Sequence, residues 1–296
     1  MKYPTVFVTG AGASQPYAFS LGIDLTRRVG DEMFNGATVE TFRDLGLDHN
    51  KMRAFANSLR LSGRQSVDAF LEHRPEFMDV GKAAIARVLI EWEQTGTLLA
   101  GREGAWLDYL FDKLNCPFER FGSNEVAFIT FNYDRSIEHY LFTCLQNSYG
   151  KSAEDCAHQL SQIPIIHLHG DLGALPWQES DSAKIRTYEP TISPEAVRIA
   201  ASRIKIIHED IAGRDREFAE AKRILNLADQ IYFLGFGYNQ TNMERLGVDK
   251  IKGGVVYGTG YGLTDHERDA TMDAVGRKIT IVNQHCLGLL RNVVRW

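Results

Sequence analysis

The sequence predicts an α/β fold: a Rossmann-like, doubly wound parallel sheet of about six strands that carries a helical insertion. Six short runs are almost continuously apolar and rich in β-branched residues, which is typical of parallel strands buried on both faces. Helical patterns follow several of these runs, and strands that alternate with helices indicate βαβ units. Glycine and polar residues stand directly after several runs, where ligands bind in sheets of this class.

Apolar runs define the six predicted strands, and apolar spacing or capping residues define three of the predicted helices. Apolar residues at helical spacing predict a helix over residues 134–144. Ser193 and Pro194 provide a capping residue and a first-turn proline for another helix, and residues 264–267 have the pattern of a capping box. The six strands cover residues 4–9, 125–130, 163–168, 230–235, 254–258 and 278–283.

Residues 31–120 contain amphipathic stretches but no convincing strand. They predict a helical insertion, or small lobe, packed beside the sheet, while residues 1–30 and 121–296 form the Rossmann-like domain. The polar, irregular segment 171–190 contains proline and glycine and predicts a mobile loop beside the ligand site, a candidate lid. The amphipathic stretches cover residues 39–47, 51–61, 66–76, 80–95 and 105–114.

Composition argues against several classes of protein. The chain has 296 residues and a net charge of −5, so we expect no direct nucleic-acid binding through a broad basic surface. No apolar run approaches the roughly 20 residues that span a bilayer, and the first strand begins too early to leave room for a signal peptide. We therefore expect no membrane association and a cytoplasmic location. The four cysteines lack C-x-x-C spacing, so no metal site is predicted and the thiols are interpreted as small buried side chains.

A glycine-rich turn follows the first strand. Gly10 and Gly12 precede a helix-like segment, a context in which backbone N–H groups can approach a pyrophosphate closely. With Ala11 and Ser14, this turn is a candidate dinucleotide-binding element, and an ordinary strand–helix turn is the alternative. The pattern disfavours hydride transfer, because Gln15 replaces the third glycine of G-x-G-x-x-G and no acidic residue follows a second strand at the expected distance.

Two later segments hold the candidate catalytic residues. Asn132 follows the second strand, between the candidate binding residues Thr130 and Asp134. His169 follows the third strand, and the ordinary pKa of an imidazole, about 6.5, suits a general base at neutral pH. The structural alternatives are a helix cap for Asp134 and a turn residue for Asn132. His167 is interpreted as a structural strand residue.

Glycine turns end two further strands. Gly235 and Gly237 follow the fourth strand, with Asn239 as a candidate helix cap or binding residue. Tyr261 follows the fifth strand. In a doubly wound sheet these positions suit adenine and ribose contacts, and a role in the turn itself explains each of them equally well.

Taken together, these motifs resemble the sirtuin family, whose members combine a G-A-G-x-S turn, a T-Q-N-x-D segment and a catalytic H-G in that order. The corresponding residues here are GAGAS at 10–14, TFNYD at 130–134 and HG at 169–170. The protein deacylases of this family carry four zinc-binding cysteines and a G-I-P-D-F-R segment, whereas this chain lacks the cysteine pairs and has GIDL at 22–25. The pattern is more similar to the divergent bacterial sirtuin-like domains of antiphage defence systems.

That resemblance implies an NAD+ glycohydrolase that uses NAD as its substrate and needs no zinc. It implies Asn132 and His169 as the catalytic residues and adds Asp24 to the cofactor-binding set. Because uncontrolled hydrolysis would kill the host cell, we expect control by a partner protein, a nucleotide-type signal or assembly into homo-oligomers. The alternatives are an NAD-dependent protein deacylase or ADP-ribosyltransferase, and a non-catalytic sensor of NAD or ADP-ribose.

Overall fold

The structure, a computed structural model, describes residues 4–206 and 216–296, and six parallel strands form a single sheet within that part of the chain. Their order is β3-β2-β1-β4-β5-β6, a doubly wound arrangement in which the strand order reverses between β1 and β4. The predicted fold class is confirmed, and every strand overlaps its predicted range. The strands are β1 (Thr5–Thr9), β2 (Val126–Thr130), β3 (Ile165–His167), β4 (Gln230–Leu234), β5 (Val255–Thr259) and β6 (Thr280–Val282).

Helices cover both faces of this sheet. The face that presents Phe233 packs against α12, α13 and α14, and the face that presents Phe7 packs against most of the others. The α-helices of the described residues are α1 (Ala11–Ser14), α2 (Gly22–Glu32), α3 (Gly36–Asp44), α4 (His49–Leu61), α5 (Val67–Leu71), α6 (Met78–Trp92), α7 (Thr95–Leu98), α8 (Leu107–Lys113), α9 (Ser136–Tyr149), α10 (Ala153–Leu160), α11 (Pro194–Arg203), α12 (Arg216–Leu227), α13 (Gln240–Leu246), α14 (Asp265–Ala274) and α15 (Cys286–Asn292). None of the helices found in residues 4–206 and 216–296 combines the length and apolar character needed to cross a bilayer.

The register of the strands aligns the ends that carry the motifs. Thr9 pairs with Thr130 on one side and with Leu234 on the other. Thr130 in turn pairs with His167 of β3. The glycine turn, the TFNYD segment, the HG segment and the turn after β4 therefore leave the sheet at the same edge.

Each predicted amphipathic stretch in the long connection between β1 and β2 overlaps a helix, namely α3, α4, α5, α6 or α8, although several stretches run past the helix ends. These helices share one continuous apolar core with the sheet, in which Phe55 and Leu110 belong to the same cluster as Phe7 and Phe128. Helix α2 crosses the predicted boundary at residue 30. The division into two domains stays a prediction.

Local start signals in the sequence correspond to the observed helix ends. The Ser193 side chain accepts a hydrogen bond from the Ala196 N–H at the start of α11, and Thr264 forms the predicted capping box with Glu267 at α14. Helix α9 begins two residues later than predicted, because Asp134 lies before it and accepts a hydrogen bond from the Ser136 N–H.

The irregular segment 171–190 is tied to the rest of the fold by buried charges. The guanidinium of Arg135 donates to the carbonyl oxygens of Gly173 and Arg186, at 2.9 and 2.6 Å. Both Arg135 and Arg186 form ion pairs with Glu93, whose side chain is fully buried at the end of α6. These contacts give the candidate lid a fixed position against α6 and α9.

Candidate functional site

A crevice of about 610 Å³ opens beyond the carboxyl ends of β1, β4 and β5. It lies where the strand order reverses, the position of ligand sites in open α/β sheets. Its volume falls in the usual range for small-molecule pockets, about 300–1,000 Å³. Five of the predicted binding residues line it: Ala11, Gly12, Gly235, Gly237 and Tyr261.

Glycine in the first turn allows two stretches of backbone to touch. Gly10 and Gly12 donate backbone hydrogen bonds to the carbonyl oxygens of Leu234 and Gly235, at 3.0 and 2.9 Å. A Cβ atom at Gly10 or Gly12 would lie 2.9 Å from backbone atoms of Gly235. Gly235 itself has φ +56°, and a Cβ there would overlap the backbone of Ala13. Close packing of the turn on the end of β4 therefore requires all three glycines.

Asn132 belongs to a hydrogen-bonded network beneath this turn. Its Nδ2 donates to the Gly10 carbonyl oxygen at 3.0 Å and to Ser14 Oγ at 2.9 Å, and its backbone N–H donates to Thr130 Oγ1 at 3.0 Å. Ser14 Oγ donates to Asp134 Oδ2 at 2.8 Å. Burial raises the pKa of Asp134, although hydrogen bonds from serines act in the opposite direction. Five predicted site residues, Gly10, Ser14, Thr130, Asn132 and Asp134, are thus joined in one network.

His169 is buried, with 7% of its surface exposed, and lies among aromatic rings. Its ring centroid is 5.5 Å from that of Phe131 and 5.9 Å from that of Phe218. The ring centroids of Phe131 and Phe236 are 4.9 Å apart, and Phe236 lines the crevice. Because Phe131 directly precedes Asn132, the imidazole lies beside the segment that carries the amide. That the two side chains face one ribose site stays a prediction.

The helical insertion makes contacts to the glycine turn that the sequence analysis missed. Trp106 Nε1 donates to the Ala13 carbonyl oxygen at 2.7 Å. The Tyr17 hydroxyl accepts from the backbone N–H groups of Trp106 and Leu107, at 2.8 and 2.7 Å, and burial raises the pKa of Tyr17. The start of α8 is therefore bonded to the residues that follow the turn. A single tryptophan in an amphipathic stretch carries no sequence signal for such a role.

Two predicted binding residues lie at the surface and do not line the crevice. Asp24 stands in the first turn of α2 with 54% of its side chain exposed, and it pairs with Arg27 at 3.4 Å. Asn239 is exposed, and its side chain accepts a hydrogen bond from the Asn242 N–H at the start of α13. The helix-cap interpretation of Asn239 is confirmed, and a binding role for either residue stays a prediction.

Residues from distant parts of the chain complete the crevice. Glu103 and Gly104 come from the insertion, and His285 and Cys286 follow β6. The ring of His285 lies 6.2 Å from that of Tyr261 in an edge-to-face arrangement. The sequence analysis missed these four residues because isolated residues in connecting segments show no pattern that links them to the glycine turn.

The cysteine, histidine and acidic side chains are the groups that could bind a metal ion. Across residues 4–206 and 216–296, no group of three or more His, Cys, Asp or Glu side chains is placed to hold a metal ion. Cys156 and Cys286 are buried, as predicted, whereas Cys116 and Cys144 are only half-buried. Burial raises the pKa of the Cys286 thiol to about 12, so this thiol stays protonated beside the crevice at neutral pH.

No family model matches the sequence, and no curated protein matches it. The resemblance to sirtuins therefore rests on the motif residues at 10–14, 130–134 and 169–170. Those residues leave the sheet at one edge, around the point where the strand order reverses.

Proposed function

We propose that this protein is an NAD+ hydrolase that cleaves the nicotinamide–ribose bond and releases nicotinamide and ADP-ribose. The observation that carries the proposal is the crevice between β1 and β4, with the Asn132 network directly beneath the glycine turn at its edge. Dinucleotides bind across this point in doubly wound sheets. The order of the sirtuin-like motifs supports Asn132 and His169 as the catalytic pair.

The chemistry requires little acid catalysis. Cleavage of an N-glycosidic bond passes through an oxocarbenium-like transition state, as in glycoside hydrolysis. Nicotinamide departs from a pyridinium, so its nitrogen needs no proton. The protein has to hold the ribose, exclude bulk water and direct one water molecule at the anomeric carbon.

In this mechanism Asn132 hydrogen-bonds the nicotinamide ribose or orders the attacking water. Its side-chain amide is already oriented by bonds to Gly10 and Ser14, so less orientation has to be gained during the reaction. Asp134 accepts a hydrogen bond from Ser14, which supports a role in holding Ser14. His169 accepts a proton from the water or from a ribose hydroxyl, and its aromatic neighbours limit the access of bulk solvent.

The proposal is tested by incubating the purified protein with NAD+, with and without candidate activators, and resolving the products by mass. Asn132→Ala and His169→Ala should each reduce nicotinamide release by about 10²–10⁴-fold, the usual contribution of a general base or positioning group. Asn147→Ala and His158→Ala change the same residue types at exposed helix positions and should leave the rate unchanged. Circular dichroism checks that all four variants keep the fold.

Three results would contradict this assignment. The first is one indistinguishable rate for the wild-type protein and both site variants. The second is O-acyl-ADP-ribose formed from an acylated peptide, which indicates a deacylase. The third is tight NAD+ binding with no product in the presence of candidate partners, which indicates a sensor.

The resemblance to bacterial defence proteins extends the proposal to regulation. In that setting the hydrolase is a cytoplasmic effector that stays inactive until a partner protein, a nucleotide-type signal or assembly into homo-oligomers activates it. Repeating the NAD+ assay with each candidate activator tests this part separately. Full activity of a purified monomer would rule out such control and would leave the hydrolase assignment in place.

A further inference from the structure

We propose that His167 and Glu138 form a positioning pair that holds the backbone carbonyl of Asn132, and that the pair does so only while both ring nitrogens of His167 carry protons. The residues concerned lie outside the catalytic set described above. The expected effect of the pair on nicotinamide release rests on the proposed role of Asn132. The geometry of the pair is independent of that role.

The pair is buried and makes close contacts. His167 ends β3 and Glu138 lies in the first turn of α9, with only 8% and 5% of their side chains exposed. His167 Nε2 lies 2.6 Å from Glu138 Oε1, and His167 Nδ1 lies 2.9 Å from the carbonyl oxygen of Asn132. Both distances are those of hydrogen bonds.

The partners determine where the protons are. A carbonyl oxygen and an ionised carboxylate can only accept hydrogen bonds, so both nitrogens of His167 must donate, which makes the ring an imidazolium. Burial lowers the pKa of His167, but the charge and hydrogen bond of Glu138, with smaller effects from Asp171 and Asn132, raise it overall to about 9. His167 therefore stays an imidazolium at neutral pH.

Other charged groups surround the pair, and they come from several parts of the fold. Asp134 and Asp171 both interact electrostatically with His167, and Asp171 is itself paired with Arg203. Further out, the charged residues that line the cavity beside His167 are Arg135, Glu179, Lys205, Arg216, Glu217 and Glu220. Of all these groups, Glu138 is the one that bonds the ring directly.

Three anchors hold Asn132. Thr130 holds its backbone N–H, Gly10 and Ser14 hold its side chain, and His167 holds its carbonyl. When the imidazolium loses a proton, the remaining one stays between Nε2 and the carboxylate, which is the stronger acceptor. The lone pair of Nδ1 then faces the carbonyl oxygen of Asn132, and the two repel. The third anchor is lost, and the amide is no longer held in place.

The test compares the pH dependence of nicotinamide release in the wild type and in Glu138→Gln. In wild type, kcat should fall about tenfold per pH unit above pH 9, with KM nearly constant, because one proton is lost. A glutamine at 138 can donate its own N–H to Nε2, so a neutral imidazole keeps its proton on Nδ1 and still binds Asn132. The variant profile, normalised to its own value at pH 7, should then lack the fall.

A pair that only stabilises the fold would change the melting temperature and leave the shape of this profile unaltered. Identical falls in wild type and Glu138→Gln overturn the proposal, and so does a wild-type profile that stays flat to pH 10. If wild type releases no nicotinamide at any pH even with the candidate activators present, the proposed hydrolase function is contradicted, and a direct measurement decides on the pair itself.

That measurement is an NMR titration of the wild-type protein with ¹⁵N-labelled histidine. His167 is identified among the nine histidines as the signal that His167→Gln loses. We expect both ring nitrogens to be protonated at pH 7 and one proton to be lost near pH 9. A ring with an unprotonated nitrogen at pH 7 overturns the proposal, whatever the protein does with NAD+.

Discussion

Gly10 and Gly12 bring the first turn into contact with the end of β4. Their pattern predicts a turn whose backbone N–H groups closely approach another group, a pyrophosphate. In the structure that group is the backbone at the end of β4, to which both N–H groups are bonded. A glycine indicates that a neighbouring group lies close to the backbone, but it does not identify that group. The pattern therefore could not distinguish a pyrophosphate from a neighbouring strand. The crevice lies on the outer side of the same turn.

Gly235→Ala should destabilise the protein by about 2 kcal/mol or more. The new Cβ would overlap the backbone of Ala13, and φ +56° is unfavourable for any residue with a Cβ. Gly237→Ala is the matched control, since a Cβ there meets nothing within 4 Å. Chemical denaturation measures the free energy of unfolding of both variants. Equal midpoints for the two would show that the close packing at β4 is not required.

The helices and strands were predicted best where local signals are strong. The Ser193 cap and the Thr264 capping box depend on side chains within three residues of the backbone groups that they satisfy, and such contacts are visible in sequence. The bond from Trp106 to Ala13 joins elements 93 residues apart. Amphipathic periodicity predicts that such a helix has a buried face, and it does not say which surface covers that face.

Trp106→Phe should loosen the contact between the insertion and the glycine turn. It removes the indole N–H and leaves the Ala13 carbonyl oxygen without that bond in a buried position, at a cost of about 1–3 kcal/mol. Trp177→Phe is the control, because within the described residues the Trp177 indole N–H has no hydrogen-bond partner. The denaturation midpoints of the two variants give the difference in their stability. A larger loss of stability for Trp177→Phe than for Trp106→Phe would contradict the expectation.

A buried ion cluster connects three regions of the whole molecule. Glu93 ends the longest helix of the insertion, Arg135 precedes α9, and Arg186 lies in the segment after β3. Burial lowers the pKa of each arginine to about 10, which still leaves both charged at neutral pH. A single carboxylate therefore compensates two buried cations and holds the insertion, the sheet edge and the irregular segment in one arrangement.

Glu93→Gln should be one of the most damaging single substitutions in this protein. Removing the carboxylate leaves two guanidinium groups buried without it, and breaking a buried pair in this way costs about 3–5 kcal/mol. Glu195→Gln changes an exposed ion pair with Arg198 and should cost less than about 1 kcal/mol. Free energies of unfolding compare the two, and a Glu93 variant as stable as the Glu195 variant would show that the cluster does not stabilise the fold.

By itself the sequence determined the six strands, the helical nature of the insertion and the placement of the motifs at strand ends. These features follow from apolar runs, capping residues and turn residues, all of which act over a few positions. Only the tertiary structure decided the strand order, the crevice between β1 and β4, and the partners of His167 and Glu93. Such contacts join residues that are far apart in the chain, and packing of the whole core brings them together.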